Sequence, residues 1–539
     1  MSHAPDSPPE VARLLDAGVQ MASRGRLPEA IGYWQAVVSL APDHVAAHHN
    51  LGAAFGQLRQ FDLAQHHLRR ALELEPDYPE ACFNLANIVW KSTADPVARQ
   101  AETTALLERA IRIRPAFLEA QYKLGSVLIE CGRQEEAIAV LSQAIDSISS
   151  QPAHPLTASI LNQLGVAFST VFRYDEAHAA FDSALRLRSN YAEAYSNLGN
   201  SLQEQGRLPE AIGCYEQSIA LNPNAPTTRF NLALARLQSG DFERGWPEYD
   251  WRLYLQHTPR RFQSPHWDGQ DLAGKTILIH LEQGMGDAIQ FIRFLPLVQS
   301  TGGRVIVECP AYLEPLFARC RGIDELILEG AELPAFDVQA PLLSLPRLLG
   351  IRLQNLPGTV PYLFIDQEVT SSWRERLEKI EGFKIGIVWE GDSRFAKNRI
   401  RSVPLEYFLR LAEIPGVKLV SLQKGPSANQ LSTLSAASVM ELMASREVGP
   451  GTLLETAGLI QALDLVVTID SGIAHLAGAL ARPVWLALSS IGEWRWLVDR
   501  EDSPWYPTMR LFRQKKPGVW SDVFHAMEVE LRKQIEGVQ

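Results

Sequence analysis

Apolar and polar positions change their rhythm near the middle of the chain. Up to about residue 250, apolar residues recur at three- and four-residue steps, the spacing that lines one face of a helix. Four segments superpose when stacked on a leucine and a small residue: "NLGAAFGQLRQFDLAQHHLRRALELEP", "YKLGSVLIECGRQEEAIAVLSQAI", "NQLGVAFSTVFRYDEAHAAFDSAL" and "SNLGNSLQEQGRLPEAIGCYEQSIALNP". Small residues return at Gly18, Gly52, Ala86, Gly125, Gly165, Gly199 and Ala233, in steps of 34, 34, 39, 40, 34 and 34. A second small residue follows twelve positions on, at Ala30, Ala64, Ala137, Ala177 and Ala211, and Pro42, Pro76, Pro115 and Pro223 close the units. Two helices approach closely only where side chains are small, so the period predicts an α-solenoid of about seven stacked helix pairs over residues 11–255.

Beyond that the pattern is strand, helix, strand. "GWPEYDWRLYL" sets Trp246, Tyr249 and Trp251 at helical spacing, a face expected to pack on the neighbouring domain. The Pro-, Gly- and polar-rich stretch at 256–273 reads as a linker. "TILIH" (276–280), a helix over 288–299, "RVIVEC" (304–309), "KIGIVW" (384–389), "KLVSLQ" (418–423), "LDLVVTI" (463–469) and "PVWLAL" (483–488) then alternate. Near-continuous apolar strands separated by helices predict parallel sheets covered on both faces. The polar stretch 366–382 divides them into two Rossmann-like domains, 274–365 and 383–539, facing a cleft at the strand carboxyl ends.

Composition narrows the chemistry. With 46% hydrophobic and 21% charged residues the 539-residue chain is ordinary globular material. A net charge of −11 argues against nucleic acid or an anionic membrane surface as partner. The five cysteines, Cys82, Cys131, Cys214, Cys309 and Cys320, form no C-x-x-C pair, which fits reduced thiols. "MSHAPDSPPE" has no signal-peptide pattern and no window reaches the length of a membrane span, so the expectation is a soluble, cytoplasmic protein.

The candidate chemistry sits at two strand-to-helix corners. "LIHLEQGMGDAIQFIRFLPLV" carries Asp287 between β-like and helical stretches, with Gly284 and Gly286 expected to permit a tight bend. "VVTIDSGIAHLAGALARPVWLAL" puts Asp470, Ser471 and Gly472 between strand and helix, with His475 one turn in. Free amides at such a helix start, and its dipole, suit a phosphate. "DSRFAKNRIRS" gathers Arg394, Lys397, Arg399 and Arg401 in an otherwise acidic protein, an excess that suits a diphosphate. Gln423 and Lys424 end another strand, within expected reach of a nucleotide. In the first half, Asp16, Asn50, Asn84, Lys123, Gln163, Asn197 and Asn231 stand two residues before each small position, on the helices that line a concave side. A row of carboxamides there can hold an extended peptide backbone. His44, His48, His49, His66 and His67 lack an acidic partner and fall on different helices, so no metal is expected.

The helix-pair period resembles the tetratricopeptide repeat. "AEAYSNLGNSLQEQGRLPEAI" is similar to repeats of O-linked N-acetylglucosamine transferases, which implies a protein acceptor held by Asn50, Asn84, Asn197 and Asn231. The GD turn at 286–287, "RSVPLEYF" and "DSGIAHLAGA" resemble glycosyltransferase family 9, the heptosyltransferase-like enzymes. That resemblance implies a GT-B fold and a metal-independent, inverting transfer from a nucleotide-sugar, which is substrate and not cofactor. Asp287 then matches the proposed base, Arg401 a donor-phosphate contact, and Asp470, Ser471, Gly472 and His475 the nucleotide-sugar loop. "GDSRFAKNR" departs from the simpler family segment, so donor identity does not carry over. Two rivals stand beside this reading. "GMGDAIQ" with Glu308 partly matches a dinucleotide-binding fingerprint but lacks its third glycine. A repeat scaffold with a degenerate, non-catalytic transferase domain is the alternative.

Overall fold

A computed structural model describes residues 9–148, 154–255, 262–391, 398–433, 438–442 and 452–536. The chain forms two compact units, one ending at Ser201 and the other beginning at Leu202, with the division inside the helix Ala192–Gln203.

In the first unit, helices succeed one another in pairs, Pro9–Ser23 with Leu27–Leu40 and Val45–Gln57 with Phe61–Leu74 among them. The small residues act as the spacing predicts. A Cβ on Gly18 would lie 2.3 Å from Trp34 Nε1, on Gly52 2.5 Å from Leu68 Cγ, on Gly125 2.5 Å from Leu141 Cδ2, and on Gly165 2.7 Å from Phe181 Cε1. Each of these partners stands sixteen residues on, in the second helix of its pair. Ala30, Ala64, Ala137 and Ala177 are wholly buried in the same seams. The step of 39 residues is absorbed by an 18-residue helix, Pro96–Ile113, begun by Asp95, whose carboxylate accepts from Val97 N at 2.9 Å. Part of the step of 40 falls at 149–153, outside the described residues.

The second unit starts with helices Leu208–Leu221, Pro226–Gln238 and Phe242–Tyr249 and the 3-10 turn Asp250–Tyr254. Two sheets follow, parallel throughout. The first has β1 (Thr276–His280), β2 (Arg304–Cys309), β3 (Glu325–Leu328) and β4 (Val338–Pro341) in the order β3-β2-β1-β4. The second has β5 (Phe383–Val388), β6 (Val417–Ser421), β7 (Val439–Met440), β8 (Leu465–Ile469), β9 (Val484–Leu488) and β10 (Met509–Arg513) in the order β10-β9-β8-β5-β6-β7. Ile277, Leu278 and Ile279 in β1 and Val466, Val467 and Ile469 in β8 are fully buried, as strands covered on both faces require. The expected helix over 288–299 is three pieces, Met285–Phe291, a 3-10 turn Ile292–Phe294, and Leu295–Gln299, because Pro296 cannot continue an α-helical ladder.

One apolar core joins the last helices to both sheets. Trp246 packs edge-on against Phe291 (6.1 Å between centroids) and Trp494 (5.4 Å), and Phe242 stacks on Trp505 (6.0 Å). Tyr249 meets Trp494 at 5.9 Å, whereas Trp251 turns to Tyr254 and lies under the Arg229 guanidinium. No helix among the described residues is long and apolar enough to cross a membrane.

Candidate active site

The turn after β1 is anchored from within. Arg252 Nη2 donates to Glu282 Oε1 (2.6 Å) and Ser344 Oγ (2.9 Å), and Nη1 to Asp250 Oδ1 (2.7 Å). The Arg252 and Glu282 side chains are 2% and 4% exposed, and burial pushes the Glu282 carboxyl up while Arg252 opposes it. The next helix, Met285–Phe291, has Gly284 as its N-cap, so Asp287 lies in the first turn and is not the cap. Its carboxylate favours the positive end of the helix there. One oxygen, Oδ1, accepts from Arg495 Nη2.

At this turn Gly286 serves a purpose other than the tight bend expected. Neither Gly284 nor Gly286 has positive φ. Gly286 is needed for close approach: a Cβ there would stand 3.0 Å from His475 Cδ2 and 3.4 Å from Gly472 Cα. One on Gly472 would meet Met285 Cε at 2.3 Å. The starts of helix Met285–Phe291, from the first sheet, and helix Gly472–Ala479, from the second, therefore touch through bare backbone.

On the second sheet, β8 ends at Ile469 and delivers Asp470, then Ser471 as N-cap of Gly472–Ala479. Ser471 makes no side-chain cap, and its Oγ pairs with Thr468 Oγ1 at 3.1 Å. Asp470 is raised above the usual carboxylate range by burial, against the pull of Arg401 and Arg495. Arg401 lies over the end of β5, where a Cβ on Gly391 would be 2.5 Å from Arg401 Nη2. His475 is buried, stacked on Trp496 (5.4 Å, 21°), with Nδ1 2.9 Å from the Tyr506 hydroxyl. Burial, then Arg495 and Arg293, hold the imidazole well below its usual range, hence neutral. Tyr506 is held well above the usual phenol range, chiefly by burial. It keeps its proton, and its hydroxyl is the hydrogen-bond partner of Nδ1.

The remaining expected residues are dispersed in role. Gln423 has its amide engaged: Oε1 accepts from Trp389 N and Glu390 N, both at 3.1 Å, and Nε2 donates to Glu390 O and Lys424 O. It ties the ends of β5 and β6, with Lys424 beside it. Arg394, Lys397 and the Arg399 side chain lie outside the described residues, although Arg399 belongs to the short helix Asn398–Arg401. Asn50, Asn84, Asn197 and Asn231 are half-buried on first helices of their pairs. Asn84 Nδ2 is 2.8 Å from His49 Nε2, and Asn197 Nδ2 donates to Asn162 Oδ1 at 3.0 Å, so two of the row bridge to the preceding pair. His48 and His67 meet Nδ1 to Nδ1 at 3.0 Å, but no His, Cys, Asp and Glu group able to hold a metal occurs among the described residues.

Two charged groups beside Asp287 are absent from the sequence motifs. Arg495, on the 3-10 turn Trp494–Trp496, donates from Nε to Gln290, from Nη1 to Glu493 and from Nη2 to Asp287. Glu493 accepts from Arg495 N at 3.0 Å and has its carboxyl pushed up to about 7 by burial, with Arg495 opposing the shift. Its side chain keeps 34% exposure. The pair's one sequence signal is a separation of two residues among tryptophans, "GEWRWLV".

Family models for the tetratricopeptide repeat match residues 49–106, 117–190 and 192–225. The model for "Glycosyltransferase family 9 (heptosyltransferase)" matches residues 404–488, which include Asp470, Ser471, Gly472 and His475 and leave Asp287 and Arg401 outside. Protein FlbA of Caulobacter vibrioides is 27% identical over 490 residues, 86% of this chain and 80% of that protein. A peroxisomal targeting signal receptor of Candida albicans is 26% identical over 231 residues, 42% of this chain and 38% of the receptor. Among solved structures, YrrB, described as a TPR protein with an unusual peptide-binding site, aligns at 17% identity and a TM-score of 0.30, over 36% of this chain and 95% of YrrB. The chain thus joins tetratricopeptide repeats to a glycosyltransferase family 9 domain, and glycosyl transfer is the chemistry that such a domain carries.

Proposed function

We infer that the chain moves a sugar from a nucleotide-sugar donor to an acceptor, a polypeptide engaged by the repeats, in a GT-B arrangement with inversion and no bound metal. The observation that carries this reading is the contact of the two helix starts at Gly286 and Gly472, with Asp287 on one and Ser471 on the other. The start of Gly472–Ala479, with Arg401 near Asp470, suits a diphosphate whose negative charge grows as it leaves. Asp287 Oδ2 accepts the proton of the acceptor hydroxyl. The hydroxyl oxygen bonds to the anomeric carbon, and the carbon–phosphate oxygen bond breaks with its electron pair on the diphosphate. Buried, neutral His475, with Nδ1 engaged by the Tyr506 hydroxyl, is not the base in this scheme.

Donor class is set by thermal shift against UDP-, GDP-, ADP- and CMP-linked sugars, since a ligand at a hundred times its Kd adds about 2.7 kcal/mol. Asp287→Asn should then cut turnover by about a hundred- to ten-thousandfold at unchanged donor Kd. Retention of more than about a tenth of turnover moves the base elsewhere. The sequence has no D-x-D pair, so activity should persist in EDTA; loss that manganese restores would refute metal independence. Replacing Asn50, Asn84, Asn197 and Asn231 by Ala should weaken a polypeptide acceptor and spare donor hydrolysis. Normal transfer by that variant ends the peptide-clamp reading.

A further inference from the structure

Asp287 is held by a residue that no motif contains. Arg495 follows β9 in the second sheet, yet two of its three side-chain partners, Asp287 and Gln290, belong to the helix after β1 in the first. Those acceptors are three residues apart and share a helix face. A planar guanidinium that engages both fixes the position of the Asp287 carboxylate and the rotation of the helix that bears it. The arginine has little freedom of its own. Its side chain is 8% exposed, its guanidinium carbon lies 4.3 Å from the Trp494 ring centre, and Glu493 takes Nη1.

The turn that carries Arg495 is gripped at both ends. Arg513, on β10, donates to the carbonyls of Trp496 (3.2 Å) and Leu497 (3.1 Å). At the other end the Gly492 carbonyl accepts from Gln238 Nε2 at 2.9 Å. Gln238 is the last residue of helix Pro226–Gln238, 2% exposed, and its Oε1 accepts from Gln203 Nε2 at 3.2 Å. Gln203 Oε1 in turn accepts from the hydroxyl of fully buried Tyr215 at 2.9 Å. Hydrogen bonds therefore connect the helix seams of the last repeats to the carbonyl three residues before Arg495.

We propose that Arg495 is the positioning residue for Asp287, and that Gln238 of the last repeat sets Arg495 through the Gly492 carbonyl. The proposal rests on Asp287 as the base. It gives the repeats a second task beside recruitment, which is to hold the carboxylate in reach of the acceptor oxygen. Small displacements of a reacting group are costly, about a hundredfold for 1 Å.

Hydrogen exchange of the full-length protein tests the geometry without any ligand. Arg495→Lys keeps the charge but loses the fork, and should speed exchange across 284–291; Gln238→Met keeps the volume and should speed it across 490–497 and 284–291 alike. Unchanged exchange over 284–291 in the Gln238→Met protein, which retains every charge, overturns the proposal. Turnover of whichever sugar nucleotide gives the largest thermal shift supplies the second arm. Each substitution should lower it, about ten- to a hundredfold for Arg495→Lys, at unchanged donor Kd, and should add nothing once Asp287 is Asn. If Asp287→Asn alone is harmless, the base assignment is wrong. If Asp287→Asn is slow and Arg495→Lys still multiplies the loss in full, Arg495 acts otherwise than through Asp287.

Discussion

Gly286 and Gly472 face one another, yet a methyl group on each meets a different neighbour. On Gly472 it collides with Met285 Cε, the free end of a flexible side chain that can swing aside. On Gly286 it presses a ring that cannot move, since His475 is stacked on Trp496 and bonded to Tyr506. Gly286→Ala should therefore destabilise the second unit by about 1–3 kcal/mol, as overpacking does, while Gly472→Ala costs less. Denaturant unfolding followed by tryptophan fluorescence ranks the two, and the reverse order would show that the histidine ring is free to tilt. The same residues mark how far a sequence can be read at this scale. Asp470, Ser471, Gly472 and His475 are adjacent along the chain, so their corner was legible. Arg495 and Asp287 meet across 208 positions, and nothing in one sequence tells which buried arginine a given carboxylate will find.

In six of the seven helix pairs the chain turns through one left-handed residue: Gly25, Gly132, Gly206 and Gly240 have φ from +74° to +86°, while Arg59 (+59°) and Phe172 (+64°) hold the same place in other repeats. A side chain there is strained. Arg59 is exposed, so Arg59→Gly should stabilise the first unit by about 0.5–1 kcal/mol, the relief exceeding glycine's extra unfolded-state entropy. A lower midpoint in urea would show that Arg59 makes a compensating contact. The neighbouring helices hold a pH dependence. Burial, then His48 and His66, bring His67 down to about 4 from 6.5. The folded state prefers the neutral ring, so this contribution is complete above pH 6.5 and is lost as pH falls from there through 4. His67→Gln should flatten the melting temperature across that window relative to the unsubstituted protein; parallel curves would assign the acid loss to carboxylates. Elements of this kind, repeated and amphipathic, were legible through their period. β3, β4, β7 and β10 were not anticipated, because Glu325–Leu328 and Val338–Pro341 are four-residue strands, the first partly exposed, Val439–Met440 is only two residues long, and Met509–Arg513 alternates with two arginines.

At the scale of the molecule, the division after Ser201 assigns the last helices to the transferase sheets and not to the repeats before them. The cause is the aromatic seam, in which Trp246 fits against Phe291 and Trp494 while Trp494 lies under the Arg495 guanidinium. A substitution in the final repeat should consequently be felt at the proposed donor site, and one of equal size in the first repeat should not. Trp246 and Trp34 allow that comparison, being 2% and 4% exposed in the last and first helix pairs. Replacing either with Ala should cost about 3–5 kcal/mol in its own unit, from lost burial and the cavity left behind. Trp34→Ala should lower the first melting transition and leave donor-induced stabilisation of the second intact. Trp246→Ala should lower the second transition and shrink the donor-induced shift, because the turn 492–496 loses the surface on which it rests. Equal donor shifts in the two variants would mean that the seam only glues the last repeat in place, and that the cleft keeps its shape without it.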